Sequence, residues 1–279
     1  MDMKKILLSI VAVAVALVSC SKHEIMYDMT PVSDDDAEFQ LHYMEPVVAS
    51  ATNYMDSVFI NGTLYSSIDG SGSLATYNGV PGGGVGRFFR APAGSMNIKL
   101  WRKGAIVYDK DVTVTKGKQN VIVYDLNQTP VVIDNQFPYW SKTAPATVAN
   151  WGTDSVCKVM FLNFLYESPG VPYPGKLQYQ GIRQGEDEWF NVGEPVGFGE
   201  ATDRVEIILH KSVYNSSGYQ RIDYRILDED GNELQKWNGS RMVKYSDYWT
   251  GYIGRVYMHF FRGYRTTSPV CNVSQWTSL

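Results

Sequence analysis

The sequence contains little of what most enzymes and nucleic-acid-binding proteins need. Its 279 residues include only three cysteines and four histidines, and it has neither a His-Glu-x-x-His zinc motif nor a Gly-x-Ser-x-Gly nucleophile motif. Charged residues make up 19% of the chain, and the formal net charge is −4. Because nucleic-acid phosphates are bound by basic surfaces, this charge argues against nucleic acid as a partner. The sequence predicts no catalytic residue, no metal site and no cofactor, and so no enzyme.

Helical periodicity is also missing after the first twenty residues, where no window has apolar residues at period 3.6 between helix caps. Short alternating runs take its place, most clearly in residues 85–124. The apolar runs there are residues 85–91, 97–101, 112–115 and 121–124. Turn residues separate these runs: Pro92-Ala93-Gly94, Lys103-Gly104 and Lys116-Gly117-Lys118. This pattern predicts antiparallel strands and an all-β fold of immunoglobulin-like β-sandwich architecture.

The first sandwich domain is predicted over residues 38–134. Phe39, Leu41 and Tyr43 alternate with more polar residues, which predicts an opening strand with one apolar face and His42 on the polar face. Asn61-Gly62 stands between two β-forming runs. Because both positions tolerate a positive φ, this pair predicts a tight hairpin.

A second immunoglobulin-like domain is predicted over residues 155–279, after a linker at 135–154 that contains Pro138 and Pro145. Its parts follow the order of the first domain. Residues 156–165 are comparable to 39–44, and 204–211 alternate as 96–102 do. The repeated order favours two tandem copies of one module.

Residues 39–124 carry three motifs in a fixed order: VFINGTLY, APAGSMNIKLW and DKDVTVTKGKQNVIVYD. In these motifs the segment resembles the bacterial family called domain of unknown function 4397. The resemblance covers about a third of the chain and consists mainly of turn residues. It implies an immunoglobulin-like fold in a secreted or lipid-anchored protein, with no established activity.

The N-terminus is typical of export. Lys4 and Lys5 precede an apolar run at residues 6–18, which suits a signal peptide and is too short to span a bilayer. The sequence Leu17-Val18-Ser19-Cys20 resembles the lipobox of bacterial lipoproteins. This resemblance implies that residues 1–19 are a signal peptide, that Cys20 is lipidated, and that 20–37 are a tether.

The lipid on Cys20 implies a membrane partner, because two or three acyl chains anchor a protein stably. Surface-exported lipoproteins of Bacteroidetes resemble one another in having acidic residues close behind this cysteine. Here the run Asp34-Asp35-Asp36 comes late in the tether. We therefore expect an outer-membrane lipoprotein, and the sequence leaves open whether it faces the cell surface or the periplasm.

Cys157 and Cys271 stand near the two ends of the second domain. Outside the cytoplasm two thiols can pair, and a loop of this length would stabilise the fold by about 4–5 kcal/mol. Two buried reduced cysteines are the alternative. The residues alone do not decide between a disulfide and two thiols.

Aromatic residues crowd residues 245–264, and three of them lie in a polar, glycine-containing context: Tyr248, Trp249 and Tyr252. Rigid amphipathic rings on a surface stack on sugars or anchor protein partners. We therefore predict a non-catalytic binding module for a glycan or an envelope protein at these residues, with core packing as the alternative. A structural subunit of a pilus-like or other envelope complex is the second hypothesis.

Two further tripeptides resemble the Asp-Ser/Thr-apolar acceptor for O-glycosylation in Bacteroidetes. They are Asp56-Ser57-Val58 and Asp154-Ser155-Val156. The resemblance implies attachment at Ser57 and Ser155.

Overall fold

A computed structural model describes residues 35–48, 51–67, 88–134, 156–209 and 219–278. The predictions for the signal peptide, Cys20, the tether, the linker and Ser155 all lie outside these residues. The described chain is almost entirely β-structure, with a single 3-10 turn at Ala51–Asn53 and no α-helix in these ranges. Within them, no helix is long and apolar enough to cross a membrane. The all-β prediction is confirmed.

The N half, the described residues from 35 to 134, forms two sheets. Its strands are β1 (Asp36–Tyr43), β2 (Ser57–Ile60), β3 (Thr63–Ser67), β4 (Phe89–Pro92), β5 (Gly94–Arg102), β6 (Ala105–Val114), β7 (Gly117–Val123) and β8 (Val131–Asp134). The N-inner sheet has the order β4-β1-β7-β8, and the N-outer sheet has the order β3-β2-β5-β6. Only the β1–β7 pair is parallel.

The C half, the described residues from 156 to 278, repeats this arrangement with additional short strands. Its strands are β9 (Val156–Ser168), β10 (Val171–Pro172), β11 (Gln178–Arg183), β12 (Phe190–Asn191), β13 (Val205–Ile208), β14 (Tyr219–Leu227), β15 (Gln235–Trp237), β16 (Met242–Lys244), β17 (Ser246–Tyr252), β18 (Val256–Tyr264) and β19 (Asn272–Ser278). The C-inner sheet has the order β10-β9-β18-β19, with β13 also on β9, and the C-outer sheet has the order β12-β11-β14-β17.

The same topology therefore occurs twice. In each inner sheet the first strand pairs in parallel with the next-to-last strand and antiparallel with an earlier one. In this scheme β13 corresponds to β4, and β14 corresponds to β5. The comparison of residues 204–211 with 96–102 was thus wrong by one strand, because alternation alone does not show which sheet a strand joins.

The strand order differs from that of an immunoglobulin constant-type sandwich. In that fold the first, second, fourth and fifth strands share one sheet. Here β1 and β2 of the N half lie in opposite sheets, and so do the corresponding strands of the C half, β9 and β11. The sandwich prediction is confirmed at the level of packed antiparallel layers, while the pairing follows another order.

The two inner sheets pack face to face inside the compact unit Asp34–Leu279. Apolar residues from both halves form this third core, which contains Met44, Ile122, Met160, Leu162, Phe164, Met258 and Phe260. Strands β1, β9 and β18 are consequently buried on both faces. The predicted apolar face of β1, with Phe39, Leu41 and Tyr43, lies in the N core, and its other face is covered by the C-inner sheet. His42 is fully buried as a result, whereas His259 is fully buried on the other face of the C-inner sheet, against Tyr179 and Trp249 of the C core.

Two predicted turns are confirmed in detail. Asn61 and Gly62 both have positive φ, at 48° and 79°, and join β2 to β3. Lys103 and Gly104 do the same between β5 and β6, at 54° and 71°. Positive φ at both central positions matches the right-handed twist of hairpin strands. Strand β6 begins at Ala105, earlier than the predicted run at 112–115.

Candidate binding groove

An open groove lies between two edge strands of the C half. Strand β17 ends the C-outer sheet and β19 ends the C-inner sheet, so the sandwich is open along this side. The groove has a volume of about 480 Å³, and it is lined by Asp247, Tyr248, Trp249, Thr250, Tyr252, Arg255, Tyr257, Gln275 and Thr277. It contains much of the predicted aromatic cluster.

Tyr248 is the exposed ring of this groove, with 51% of its surface accessible. The guanidinium of Arg221, on the neighbouring strand β14, lies 4.0 Å from the centre of the ring. Arg221 also donates a hydrogen bond of 2.6 Å to Asp223, which pairs with Tyr248 across the strands. The arginine therefore orients the ring through a cation–π contact and is itself held by a carboxylate.

Tyr252 lies on the same face of β17 as Tyr248, four residues further along the strand. The Arg255 guanidinium is 4.0 Å from the centre of its ring, and the ring of Tyr219 is 5.5 Å away. Tyr252 is half-buried. The groove thus presents two tyrosines at the i and i+4 positions of a strand, each with an arginine beside it.

Trp249 also lines the groove, but the structure buries it and so favours the core packing that the sequence left as the alternative. Only 2% of the residue is accessible. Its ring packs edge-on against Tyr257 and His259, with centroids 5.2 and 4.9 Å apart. Successive side chains of a strand point to opposite faces. Tyr248 points to solvent, and the next residue, Trp249, therefore points into the core.

Tyr257 closes the floor of the groove. Its hydroxyl accepts a hydrogen bond of 3.0 Å from the Tyr252 backbone amide and donates one of 3.4 Å to the Thr250 carbonyl. Burial raises the pKa of the Tyr257 hydroxyl well above its usual value, which keeps the proton in place. The edge of β17 is held in position by these bonds instead of by a further strand.

Gln275 and Thr277 form the opposite wall on β19. They pair with His259 and Tyr257 of β18, so they point to the same side as those residues. Together with Asp247 and Arg255 they provide hydrogen-bond donors and acceptors around the rings. Sequence reasoning missed these groups, because strand pairing brings them to the tyrosines across a large separation in the chain. In the described ranges no group of three or more His, Cys, Asp or Glu side chains could hold a metal ion.

Cys157 and Cys271 are free and buried, which is the second of the two alternatives that the sequence left open. Both face the C core. The pairings of β18 place Cys157 level with Arg255 and Cys271 level with Gly263. Eight residues of strand correspond to about 26 Å, whereas a disulfide requires Cα atoms within about 7 Å. The first and last strands do share a sheet, but the two thiols lie at opposite ends of it.

Ser57 opens β2, between β3 and β5, and is half-buried. The neighbouring Asp56 carboxylate accepts a hydrogen bond of 2.8 Å from the Gly104 amide. Asp56 therefore stabilises the turn between β5 and β6, which gives it a structural role independent of glycosylation. Glycosylation at Ser57 stays a prediction.

No family model matches the sequence, and no curated protein matches it either. Two solved structures are similar in part. A leucine-rich repeat protein from Bacteroides thetaiotaomicron VPI-5482 is 9% identical over 84% of this chain and 27% of its own, with a TM-score of 0.23. The TIE protein of Bacillus anthracis is 10% identical over 81% and 34%, with a TM-score of 0.22. The chain thus spans about a third or less of either protein.

Proposed function

We propose that this protein is a lipid-anchored outer-membrane lipoprotein, built from two tandem sandwich modules, that acts as a non-catalytic binding module. Its ligand is a glycan or a protein partner bound in the groove of the C half. The main support for this proposal is the exposed ring of Tyr248, which Arg221 orients at one wall of the groove of about 480 Å³. This volume lies in the range of ligand sites, about 300–1,000 Å³.

The chemistry of the groove favours a polar ligand with flat apolar faces. Tyr248 and Tyr252 offer such rings, and their orientation is fixed before binding by Arg221 and Arg255. Preorganised rings lose little conformational freedom when a ligand stacks on them. Asp247 and Gln275 can then hydrogen-bond hydroxyl groups at the ligand's edge. A sugar ring has both features.

Tandem duplication of one module is supported by the repeated strand order. The anchor at Cys20 is supported by the sequence alone, and Cys20→Ala tests it. We expect the unmodified form to pellet with membranes and the variant to become soluble. If the variant still pelleted with membranes, the proposed lipid anchor would be wrong, and the proposal for the groove would be unaffected.

The binding test is retention of the purified protein on an array of polysaccharides. We expect Tyr248→Ala to weaken retention about tenfold, since stacking contacts of this kind contribute on the order of 0.5–2 kcal/mol. Tyr54→Ala is the matched control, because Tyr54 is 36% exposed and lies outside the groove. Both variants should keep their melting temperatures. Equal retention of Tyr248→Ala and the unmodified protein would exclude the groove as the glycan site.

A structural subunit of a surface assembly is the second candidate, and one observation favours it. An apolar strip crosses the outer face of the N-outer sheet. Leu64 pairs with Phe59, whose ring is 6.3 Å from Trp101, which pairs with Ile106. Leu64 and Ile106 are 50% and 46% exposed. Contiguous exposed apolar residues are typical of interaction sites.

Cross-linking in intact envelopes separates the two candidates. A structural subunit should co-purify with a stoichiometric envelope protein, and Leu64→Ser together with Ile106→Ser should abolish that association. The polysaccharide array should then show no specific retention. A glycan-binding module should give the opposite pair of results.

A further inference from the structure

A second cavity lies where the two halves meet, near the end of β18, whereas the groove lies near the start of that strand. It has a volume of about 190 Å³, smaller than most drug-sized sites. Its walls come from both halves. Tyr124, Asp125 and Glu45 belong to the N half, and Tyr166 and Tyr264 belong to the C half.

The topology explains why these residues meet. Strands β1 and β7 run parallel in the N-inner sheet, and β9 and β18 run parallel in the C-inner sheet. Glu45 follows β1, Tyr124 follows β7, and Tyr166 and Tyr264 stand near the ends of β9 and β18. Because the two inner sheets pack face to face, the carboxyl ends of all four strands open onto one cavity.

The three tyrosines give the cavity aromatic walls. The rings of Tyr166 and Tyr264 lie nearly at right angles, with centroids 6.1 Å apart, and Tyr124 stacks on Phe164 at 5.3 Å. Burial, with a contribution from the Asp125 carboxylate, raises the pKa of the Tyr124 and Tyr166 hydroxyls. These rings are therefore neutral at physiological pH, and they line the cavity with aromatic surface.

The charge of the cavity comes from Asp125. Glu45 is already paired with Arg102 at 3.1 Å, which offsets its charge. Asp125 accepts hydrogen bonds from the Asn127 amide at 2.8 Å and from the Tyr166 hydroxyl at 3.5 Å. Among the described residues, no lysine, arginine or histidine forms an ion pair with it.

We propose that this cavity binds a small quaternary ammonium solute, with Tyr124, Tyr166 and Tyr264 as an aromatic cage and Asp125 as the counter-charge. A methylated ammonium group is attracted by aromatic faces and is weakly hydrated, so it enters such a cage readily. The carboxylate adds a longer-range attraction. An anion would be repelled by Asp125, because the described lining residues include no lysine, arginine or histidine to offset that charge.

Calorimetric titration of the full chain with choline tests this proposal. We expect saturable binding, and we expect 3,3-dimethyl-1-butanol, the neutral isostere of choline, to bind at least about tenfold more weakly. Phosphocholine should also bind more weakly than choline, since its phosphate adds negative charge near Asp125. Equal affinity for choline and the neutral isostere would overturn the proposal, as would the absence of saturable binding. Tighter binding of phosphocholine would overturn the free solute as the ligand and point to a lipid headgroup.

Substitutions locate the site. Asp125→Asn should weaken choline binding about tenfold and keep the fold, because an amide oxygen can still accept the Asn127 hydrogen bond. Asp230→Asn, at an exposed turn, is the matched control and should leave binding unchanged. Tyr264→Ala should weaken choline binding to a similar degree, because it removes one aromatic wall of the cavity. If Asp125→Asn has a lower melting temperature than the unmodified protein, Tyr264→Ala becomes the variant that tests the site. Unchanged affinity in Asp125→Asn and Tyr264→Ala would place choline elsewhere on the chain.

Discussion

The N half and the C half share one strand order and fill their cores differently. The N core is mainly aliphatic, with Leu41, Val58, Ile98, Leu100 and Val121 among its members. The C core is built around large rings, including Phe161, Tyr179, Tyr224, Tyr245, Trp249 and Phe261. Alternation and turn residues evidently determine the topology, while the size of the inward side chains is free to differ. The aromatic core brings with it polar atoms that need partners inside the protein.

Those partners are present for most of the buried rings in the C half. The hydroxyl of Tyr179 lies 3.0 Å from Nδ1 of His259, and the hydroxyls of Tyr224 and Tyr245 are 2.9 Å apart. Tyr245 also accepts the Val273 amide at 3.0 Å, which ties β19 to the core. The C core is therefore held by directional bonds as well as by apolar burial, and the following predictions test that difference.

The largest effect is expected at Trp249. Trp249→Ala should lower the free energy of unfolding by about 3–5 kcal/mol, because it removes a fully packed ring from the C core. Tyr248→Ala, one residue away on the exposed face, should change it by less than about 0.5 kcal/mol. Urea denaturation of the two variants measures both values. Similar destabilisation of the two would show that the faces of β17 are assigned wrongly.

Acid should destabilise the contact between the two halves. Burial lowers the pKa of His42 from 6.5 to about 4, since its neighbours across the interface are the rings of Phe260 and Trp276. The unfolded chain takes up this proton from pH 6.5 downward while the folded chain excludes it. The contribution of neutral His42 is therefore complete above pH 6.5 and is lost as the pH falls towards 4, by about 3 kcal/mol.

Denaturation at several pH values, with His42→Gln as the variant, isolates this term. Glutamine does not titrate and can still hydrogen-bond Asn120, whose Oδ1 accepts a bond of 3.0 Å from His42 Nε2. The variant should lose about 3 kcal/mol less than the unmodified protein between pH 7 and pH 4. His259, whose pKa burial lowers to about 3, should retain its own acid dependence in that variant. Identical pH profiles would mean that His42 is not buried between the halves.

The sequence was sufficient for the fold class and for the tight turns, because alternation and positive-φ residues act locally. It could not show which strands are buried twice. The run at residues 156–165 was almost entirely apolar, but β1 alternated visibly and its second face was still covered by Phe260 of the other half. Strand pairing within the C-inner sheet also decided the groove, since it placed Gln275 on the wall opposite Tyr248 and kept Cys157 far from Cys271.

Removing the hydroxyl of Tyr108 in the N core and that of Tyr224 in the C core should change stability with opposite signs. The Tyr108 hydroxyl, in the N half, is buried and has no hydrogen-bond partner among the described residues. Tyr108→Phe should therefore leave stability unchanged or raise it by about 1 kcal/mol. Tyr224→Phe should instead lower it by about 1 kcal/mol, because it removes the bond to Tyr245. Thermal and urea denaturation measure both, and a loss in Tyr108→Phe would reveal a partner for that hydroxyl.

The smallest effect is expected from reducing agents. Only the C half has cysteines among the described residues, and a disulfide between Cys157 and Cys271 would make that half about 4–5 kcal/mol more stable. Both are buried thiols at opposite ends of the C-inner sheet, and burial raises the pKa of the Cys271 thiol to about 12. Urea denaturation with and without reductant should therefore give the same midpoint. A midpoint that falls on reduction would require strand pairings in the C half that bring residues 157 and 271 together, and it would remove the topological match between the halves.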